Sequence, residues 1–138
     1  RGGGLELEGW GRRRPPLRWG GDWSADSGYA AGTTLARERD ITAVFTANDQ
    51  MAMGLLAALR EAGRGVPDDV SVVGFDDLAE SVYLDPPLTS VRQDFGELGR
   101  RSMSLVARAL AGEVAPVADL VETQLVVRGS TARARSAD

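Results

Sequence analysis

The sequence contains no cysteine, no histidine and no lysine, and all 16 of its basic residues are arginine. Without cysteine and histidine, the chain lacks disulfides, the common nucleophile–histidine pairs and the usual zinc and iron ligand sets. Without lysine, it has neither Schiff-base chemistry nor the phosphate-binding lysine of a P-loop. Catalysis would have to depend on carboxylates, tyrosine or a bound cofactor. We therefore expect a protein that is not an enzyme and that carries no metal and no cofactor.

Long apolar runs are also missing, which argues against a membrane-spanning segment. No apolar stretch of a secretory signal follows Arg1. The net charge of -4 argues against nucleic-acid binding by this segment itself, because such binding calls for a basic face. A chain of 138 residues, 43% of them hydrophobic, fits one domain or one lobe of a two-lobed protein.

Three segments differ in composition. Residues 1–16 are rich in Gly, Arg and Pro without periodicity, and we interpret them as an irregular or truncated start or as the product of a frameshift in the gene model. Residues 17–131 form the predicted lobe, which opens with a short strand candidate at Leu17–Trp19. Residues 132–138 form a polar tail, and we expect the chain to fray from Gly129 onward.

Strand and helix patterns alternate along the lobe, which predicts a doubly wound, mainly parallel α/β sheet. The predicted strands are Thr42–Ala47, Val70–Phe75, Thr89–Arg92 and Leu120–Arg128. Thr42–Ala47 is short, apolar and β-branched, as expected of a strand buried on both faces. Gly74 predicts a close backbone approach within its strand.

Three helices are predicted between these strands. The first runs from Ser24 or Asp26 to about Arg39, with Tyr29, Thr33 and Ala36 on one face. The second runs from Gln50 to about Ala62 after a cap at Asn48-Asp49, and Gly63 ends it. The third runs from Asp94 to about Ala111, and its apolar residues are expected inside: Leu98, Met103, Leu105, Val106 and Leu110.

Polar residues directly follow three of the predicted strands. In an open parallel sheet, ligands bind beyond the carboxyl ends of the strands, which selects Asn48, Asp76 and Gln93. Asn48 offers a donor and an acceptor, and an ionised Asp76 can accept hydrogen bonds from two hydroxyls of a polyol. Each also has a purely structural interpretation: Asn48 as a helix cap, Asp76 as a solvated turn carboxylate and Gln93 as a surface glutamine.

Trp23 lies in a loop after a glycine pair. An exposed indole beside polar acceptors is what a pocket uses to cover the apolar face of a sugar ring. Packing against the following helix explains Trp23 equally well.

These segments, in this order, resemble the lactose-repressor family over about Leu17 to Thr131. The matching segments are Gly21–Gly28 (GDWSADSG), Ala47–Gly54 (ANDQMAMG), Val66–Asp77 (VPDDVSVVGFDD), Pro86–Gly99 (PPLTSVRQDFGELG) and Val126–Thr131 (VVRGST). The resemblance implies one lobe of a periplasmic-binding-protein-like (type I) fold. In this family, a helix-turn-helix headpiece precedes two such lobes.

The resemblance also implies residue roles. Trp23 would stack on a sugar ring while Asn48, Asp76 and Gln93 bind its hydroxyls, which favours a galactoside-like hexoside. Further candidate ligands are Arg1 and Phe95.

The resemblance further implies a homodimer, with a surface formed by Met53, Val82, Tyr83 and Leu84. The expected function is the sugar-binding and dimerising part of a cytoplasmic transcription regulator, most simply a repressor. Such a protein contacts DNA only through a headpiece that this chain does not contain. The alternative is a sugar-binding receptor of a transport system, which shares the bilobed fold.

Overall fold

The structure is a computed structural model in which residues 20–113 and 120–133 are described. The predictions for Arg1–Pro16 and for the strand Leu17–Trp19 lie outside the described residues. The elements are helix α1 (Ala25–Leu35), strand β1 (Ala43–Phe45), helix α2 (Asp49–Glu61), strand β2 (Ser71–Asp76), a 3₁₀ helix (Ala79–Tyr83), strand β3 (Thr89–Arg92), helix α3 (Phe95–Leu110) and strand β4 (Gln124–Val126). Within the described ranges, no helix has the length and apolar character needed to cross a bilayer.

The four described strands form one sheet in the order β1-β2-β3-β4. β1 pairs with β2 and β2 with β3 in parallel, whereas β4 pairs with β3 antiparallel. This confirms the mainly parallel sheet. The prediction for β3 matches to the residue, but the predicted strand Leu120–Arg128 was too long, since only Gln124–Val126 pairs.

The core lies under the α1–α2 pair, and its largest buried apolar side chains are Leu35, Leu55, Leu56, Leu59, Val70, Val72 and Leu88. Glycines bring the two helices together, since a Cβ at Gly28 would lie 2.1 Å from the carbonyl oxygen of Met51. The buried residues of α1 are Gly28, Gly32 and Leu35. Of the three residues predicted to share one face, Ala36 is buried, whereas Tyr29 and Thr33 are exposed. α1 also ends at Leu35, not near Arg39.

β1 was predicted to be buried on both faces, and this was wrong. It is shorter than expected and lies at one edge of the described sheet. The Phe45 side chain is 62% exposed and makes an edge-to-face contact with Phe75, with ring centroids 6.4 Å apart. An edge position leaves β1 with one strand neighbour among the described residues, so fewer residues pack against its side chains than in a central strand.

α3 begins and ends as predicted but buries none of its residues. The expectation that its apolar residues lie inside was wrong for the described part of the chain: Leu98, Met103, Val106 and Leu110 are exposed, and Leu105 is half-buried. The periodicity correctly indicated an amphipathic helix, but among the described residues none packs closely enough on its apolar face to bury it.

The expectation that the chain frays from Gly129 was wrong at Ser130, which is fully buried. The Ser130 hydroxyl donates to the Val72 carbonyl at 2.6 Å and accepts from the Thr89 amide at 2.8 Å. The Val72 amide donates in turn to the Ser130 carbonyl at 2.8 Å. Ser130 therefore joins β2 to the start of β3 and completes this end of the sheet.

Candidate functional site

The carboxyl ends of β1, β2 and β3 lie along one edge of the sheet because the three strands are parallel. Asn48 follows β1, Asp76 is the last residue of β2, and Gln93 follows β3. The register pairs Asp76 with Arg92, the residue before Gln93. The three predicted polar residues therefore occupy neighbouring positions on this edge.

Asp76 and Gln93 contact each other directly. The Gln93 side-chain amide donates to Asp76 Oδ1 at 2.8 Å, and both residues are partly buried. Asp76 has φ 104°, a conformation that non-glycine residues rarely adopt. This hydrogen bond leaves a carboxylate oxygen of Asp76 and an amide hydrogen of Gln93 for other partners, which suits a ligand with adjacent hydroxyls.

Trp23 and Asn48 form a second pair. Asn48 is buried, and its Nδ2 donates to the Trp23 carbonyl at 2.9 Å. Asn48 Oδ1 caps α2 by accepting from the Met51 amide at 2.9 Å. The structural interpretation of Asn48 as a helix cap is thereby confirmed. The Trp23 side chain is 61% exposed, so packing on α1 does not account for it.

A pair of arginines holds Asp77, the residue after Asp76. Arg92 Nε donates to Asp77 Oδ2 at 2.6 Å, and Arg128 Nη1 lies 2.6 Å from Oδ1. The Asp77 side chain is only 4% exposed. Burial raises the pKa of this carboxyl, but the contacts with Arg128 and Arg92 together outweigh burial, so the pKa lies below its ordinary value of 3.8. Asp77 is committed to this ion-pair network.

Asp49 was interpreted from the sequence only as a cap residue, and its larger role was missed. Its carboxylate is fully buried and accepts from Ser90 Oγ at 2.6 Å, Ser81 Oγ at 2.5 Å and the Leu78 amide at 2.8 Å. A Cβ at Gly74 would lie 2.1 Å from Asp49 Oδ1. This confirms the predicted close approach at Gly74, which was the one sign in the sequence that something lies against β2 there.

Two cavities adjoin the predicted residues. One of about 340 Å³ is mostly apolar, and it is lined by residues that include Trp23, Phe45, Met51 and Leu55. Another of about 210 Å³ is lined by Gln93, Asp94, Leu98 and residues 120–123. Trp23 lines the first cavity and Gln93 lines the second, and the two cavities share no lining residue.

The remaining candidates are dispersed. Phe95 is the first residue of α3 and is exposed, whereas Arg1 lies outside the described residues. Among the predicted dimer residues, Val82 and Tyr83 are exposed and Met53 and Leu84 are half-buried. In the part of the chain that is described, no three Asp, Glu, His or Cys side chains are grouped so that they could hold a metal ion.

The family model for the periplasmic binding protein-like domain matches residues 6–131. The lactose operon repressor of Klebsiella pneumoniae is 43% identical over 111 residues, which cover 80% of this chain and 31% of that protein. The chain thus spans about a third of the length of the curated relatives it matches.

Solved structures agree with this match. A lac repressor dimer bound to operator and the anti-inducer ONPF is 40% identical with a TM-score of 0.74, covering 80% of this chain and 39% of that one. The complex of the transcriptional regulator CelR with cellobiose is 44% identical with a TM-score of 0.71, covering 80% of this chain and 34% of that one. The chain therefore belongs to the periplasmic binding protein-like domain family and groups within it with the lactose-repressor-type regulators.

Proposed function

We propose that this chain is the effector-binding part of a lactose-repressor-type transcription regulator, and that its effector is a hexoside of the galactoside type. The observation that carries the proposal is the Asp76–Gln93 hydrogen bond at the carboxyl ends of two adjacent parallel strands. A partly exposed carboxylate and amide in this position match the paired hydroxyls of a sugar ring.

The Trp23 side chain supplies the second component of a sugar site. It is exposed beside an apolar cavity, and Asn48 fixes its backbone. An aromatic face together with a few convergent polar groups is the usual composition of such sites. In the proposed complex, the indole covers the sugar ring while Asp76 and Gln93 bind its hydroxyls. Asn48 contributes its remaining amide hydrogen.

Titration of the 138-residue chain with lactose or cellobiose, followed by NMR, tests this proposal. We expect saturable shifts of the Trp23 indole and the Gln93 amide in the millimolar range, because a chain about a third as long as its relatives offers only part of a two-lobed cleft. Asp76→Asn should abolish both shifts, and Trp23→Ala should abolish the shift of the Gln93 amide. Asp40→Asn, a change at an exposed carboxylate after α1, is the matched control. Unchanged binding by Asp76→Asn would contradict the assigned site.

The named relatives support the regulator role over the transport receptor, since they are described as repressors and transcriptional regulators. We propose that effector binding occurs in the cytoplasm. We also propose that the chain binds its effector without turnover, and product formation from lactose by the purified chain would contradict the absence of turnover. We assign no DNA contact to the described residues.

We also propose a homodimer, because the matched lac repressor structure is a dimer. Exposed Val82 and Tyr83, beside half-buried Met53 and Leu84, supply an apolar surface for it. A monomer at micromolar concentrations by sedimentation equilibrium would contradict the dimer.

A further inference from the structure

Three non-glycine residues in the described part of the chain have positive φ angles: Trp23 at 72°, Asp76 at 104° and Asp77 at 55°. Such conformations are unfavourable for side chains with a Cβ and persist only where the surroundings hold them. Two of the three, Trp23 and Asp76, are candidate sugar ligands. The contacts that hold these backbone positions therefore decide where those ligands point.

Asp76 directly precedes Asp77 in the chain, and both Asp77 and Trp23 are tied by hydrogen bonds to the start of α2. Asn48, its cap, donates to the Trp23 carbonyl. The Asp77 amide donates to Ser90 Oγ at 3.1 Å, and Ser90 Oγ donates in turn to Asp49 Oδ1 at 2.6 Å. The next amide along the loop, that of Leu78, donates to Asp49 Oδ2. Asn48 and Asp49 thus hold the loops on both sides of the sheet edge.

The Asp49 carboxylate is a demanding group to bury. The groups that donate to it among the described residues are all neutral: two hydroxyls and one backbone amide. Loss of one donor leaves a buried carboxylate oxygen short of a partner, which is costly in a low-dielectric interior. Its position in the first turn of α2 also places the negative charge where the helix dipole favours it. A group held so firmly is a suitable anchor for a strained loop.

We propose that Asp49 is a positioning residue of the effector site, which acts through Ser90 to hold the strained Asp76–Asp77 loop with Asp76 facing Gln93. The proposal deepens the proposed function and rests on it for the sugar, but the positioning itself is defined without a ligand. It predicts that loss of the Ser90 hydroxyl releases the Asp77 amide, so that the loop relaxes and the Asp76–Gln93 hydrogen bond weakens.

Ser81 provides a matched control. Ser81 and Ser90 are both fully buried, and both donate a hydroxyl to Asp49. Only Ser90 also accepts from the Asp77 amide. Ser81→Ala and Ser90→Ala therefore remove the same kind of hydrogen bond from the same carboxylate, and only the second also removes the acceptor of the Asp77 amide. Urea unfolding of both variants first establishes that each is folded, and we expect a larger fall of the midpoint in Ser90→Ala because its hydroxyl makes two of these hydrogen bonds.

The decisive readout is the Gln93 side-chain amide in ¹⁵N–¹H spectra of the unliganded chain. In Ser90→Ala we expect its resonances to move toward those of a free amide, whereas Ser81→Ala should leave them near the wild-type values. If the two variants shift the Gln93 amide equally, or if neither does, Asp49 and Ser90 have only a structural role and the proposal fails.

Sugar titration of the same two variants separates this proposal from the proposed function. Ser90→Ala should weaken lactose or cellobiose binding about tenfold, while Ser81→Ala should change it less than about twofold. If the wild-type chain binds neither sugar while the Gln93 amide still responds only to Ser90→Ala, the positioning role stands and the hexoside assignment fails. If the wild type binds and the two variants lose affinity equally, the positioning role fails and the sugar site stands.

Discussion

Helices α2 and α3 begin in the same way and differ completely in what surrounds them. Asn48 caps α2 and Asp94 caps α3, each by accepting from a backbone amide three residues later. Both helices have an apolar face, yet α2 buries Leu55, Leu56 and Leu59 whereas α3 buries nothing. The caps and periodicity that form a helix are therefore local, and its burial depends on residues far along the chain.

The surface chemistry of the two helices matches this difference. Exposed ion pairs join Glu97 to Arg100 and Arg101 on α3, and such pairs stabilise a helix only slightly. α2 instead packs through Gly54, where an added Cβ would lie 1.8 Å from the Ala25 carbonyl oxygen. We therefore expect most of the stability of the described chain to reside in the α1–α2 side of the sheet.

The strongest test of this comparison truncates one leucine on each helix. Leu59→Ala should reduce the free energy of unfolding by about 2–5 kcal/mol, because a fully buried leucine leaves a cavity. Leu110→Ala, at a side chain that is 85% exposed, should change it by less than about 0.5 kcal/mol. Urea unfolding followed by circular dichroism measures both. An equal loss in the two variants would mean that the apolar face of α3 is covered in solution.

A second test inserts one methyl group into each helix. Gly54→Ala should destabilise the chain by about 1–3 kcal/mol, because the new Cβ overlaps backbone atoms of α1. Gly99→Ala should stabilise it by about 0.5–1 kcal/mol, since alanine favours a helix interior and nothing lies within 4 Å of the added Cβ. The sign of the change in melting temperature distinguishes the two sites. If Gly54→Ala is neutral, α1 and α2 are less closely packed than described.

The comparison also shows which features could be predicted from the sequence. β3 and the cap at Asn48 were predicted correctly because each depends on residues adjacent in the chain. The approach of Asp76 to Gln93 followed from a rule of topology, since parallel strands end at the same edge.

Other features could not be predicted, because they depend on residues distant in the sequence. The buried face of α1 includes Gly28 and Gly32, and glycines give no apolar periodicity from which that face could be predicted. The burial of Asp49 requires the hydroxyls of Ser81 and Ser90, 32 and 41 residues away. Nothing local in the sequence distinguishes this carboxylate from an ordinary cap residue.

The smallest expected difference between the two regions is in acid, where Asp77 is compared with Glu97 on α3. The pKa of each carboxyl is lower in the folded chain than its ordinary value: for Asp77 it lies below 3.8, and for Glu97 it falls from 4.5 to about 2 because of hydrogen bonds from Arg100 and Arg101. A carboxyl with a lowered pKa stabilises the fold at pH values above its ordinary pKa, and this contribution is lost as pH falls through its pKa in the folded chain.

Solvent screens the exposed Glu97 pairs, whereas the Asp77 side chain is 4% exposed. Urea midpoints measured from pH 5 down to about pH 2 should therefore fall less steeply in Asp77→Asn than in the wild type, and Glu97→Gln should change the slope less. A larger flattening by Glu97→Gln would show that the ion pairs of Glu97 on α3 are shielded from solvent, contrary to the exposed surface described for this helix.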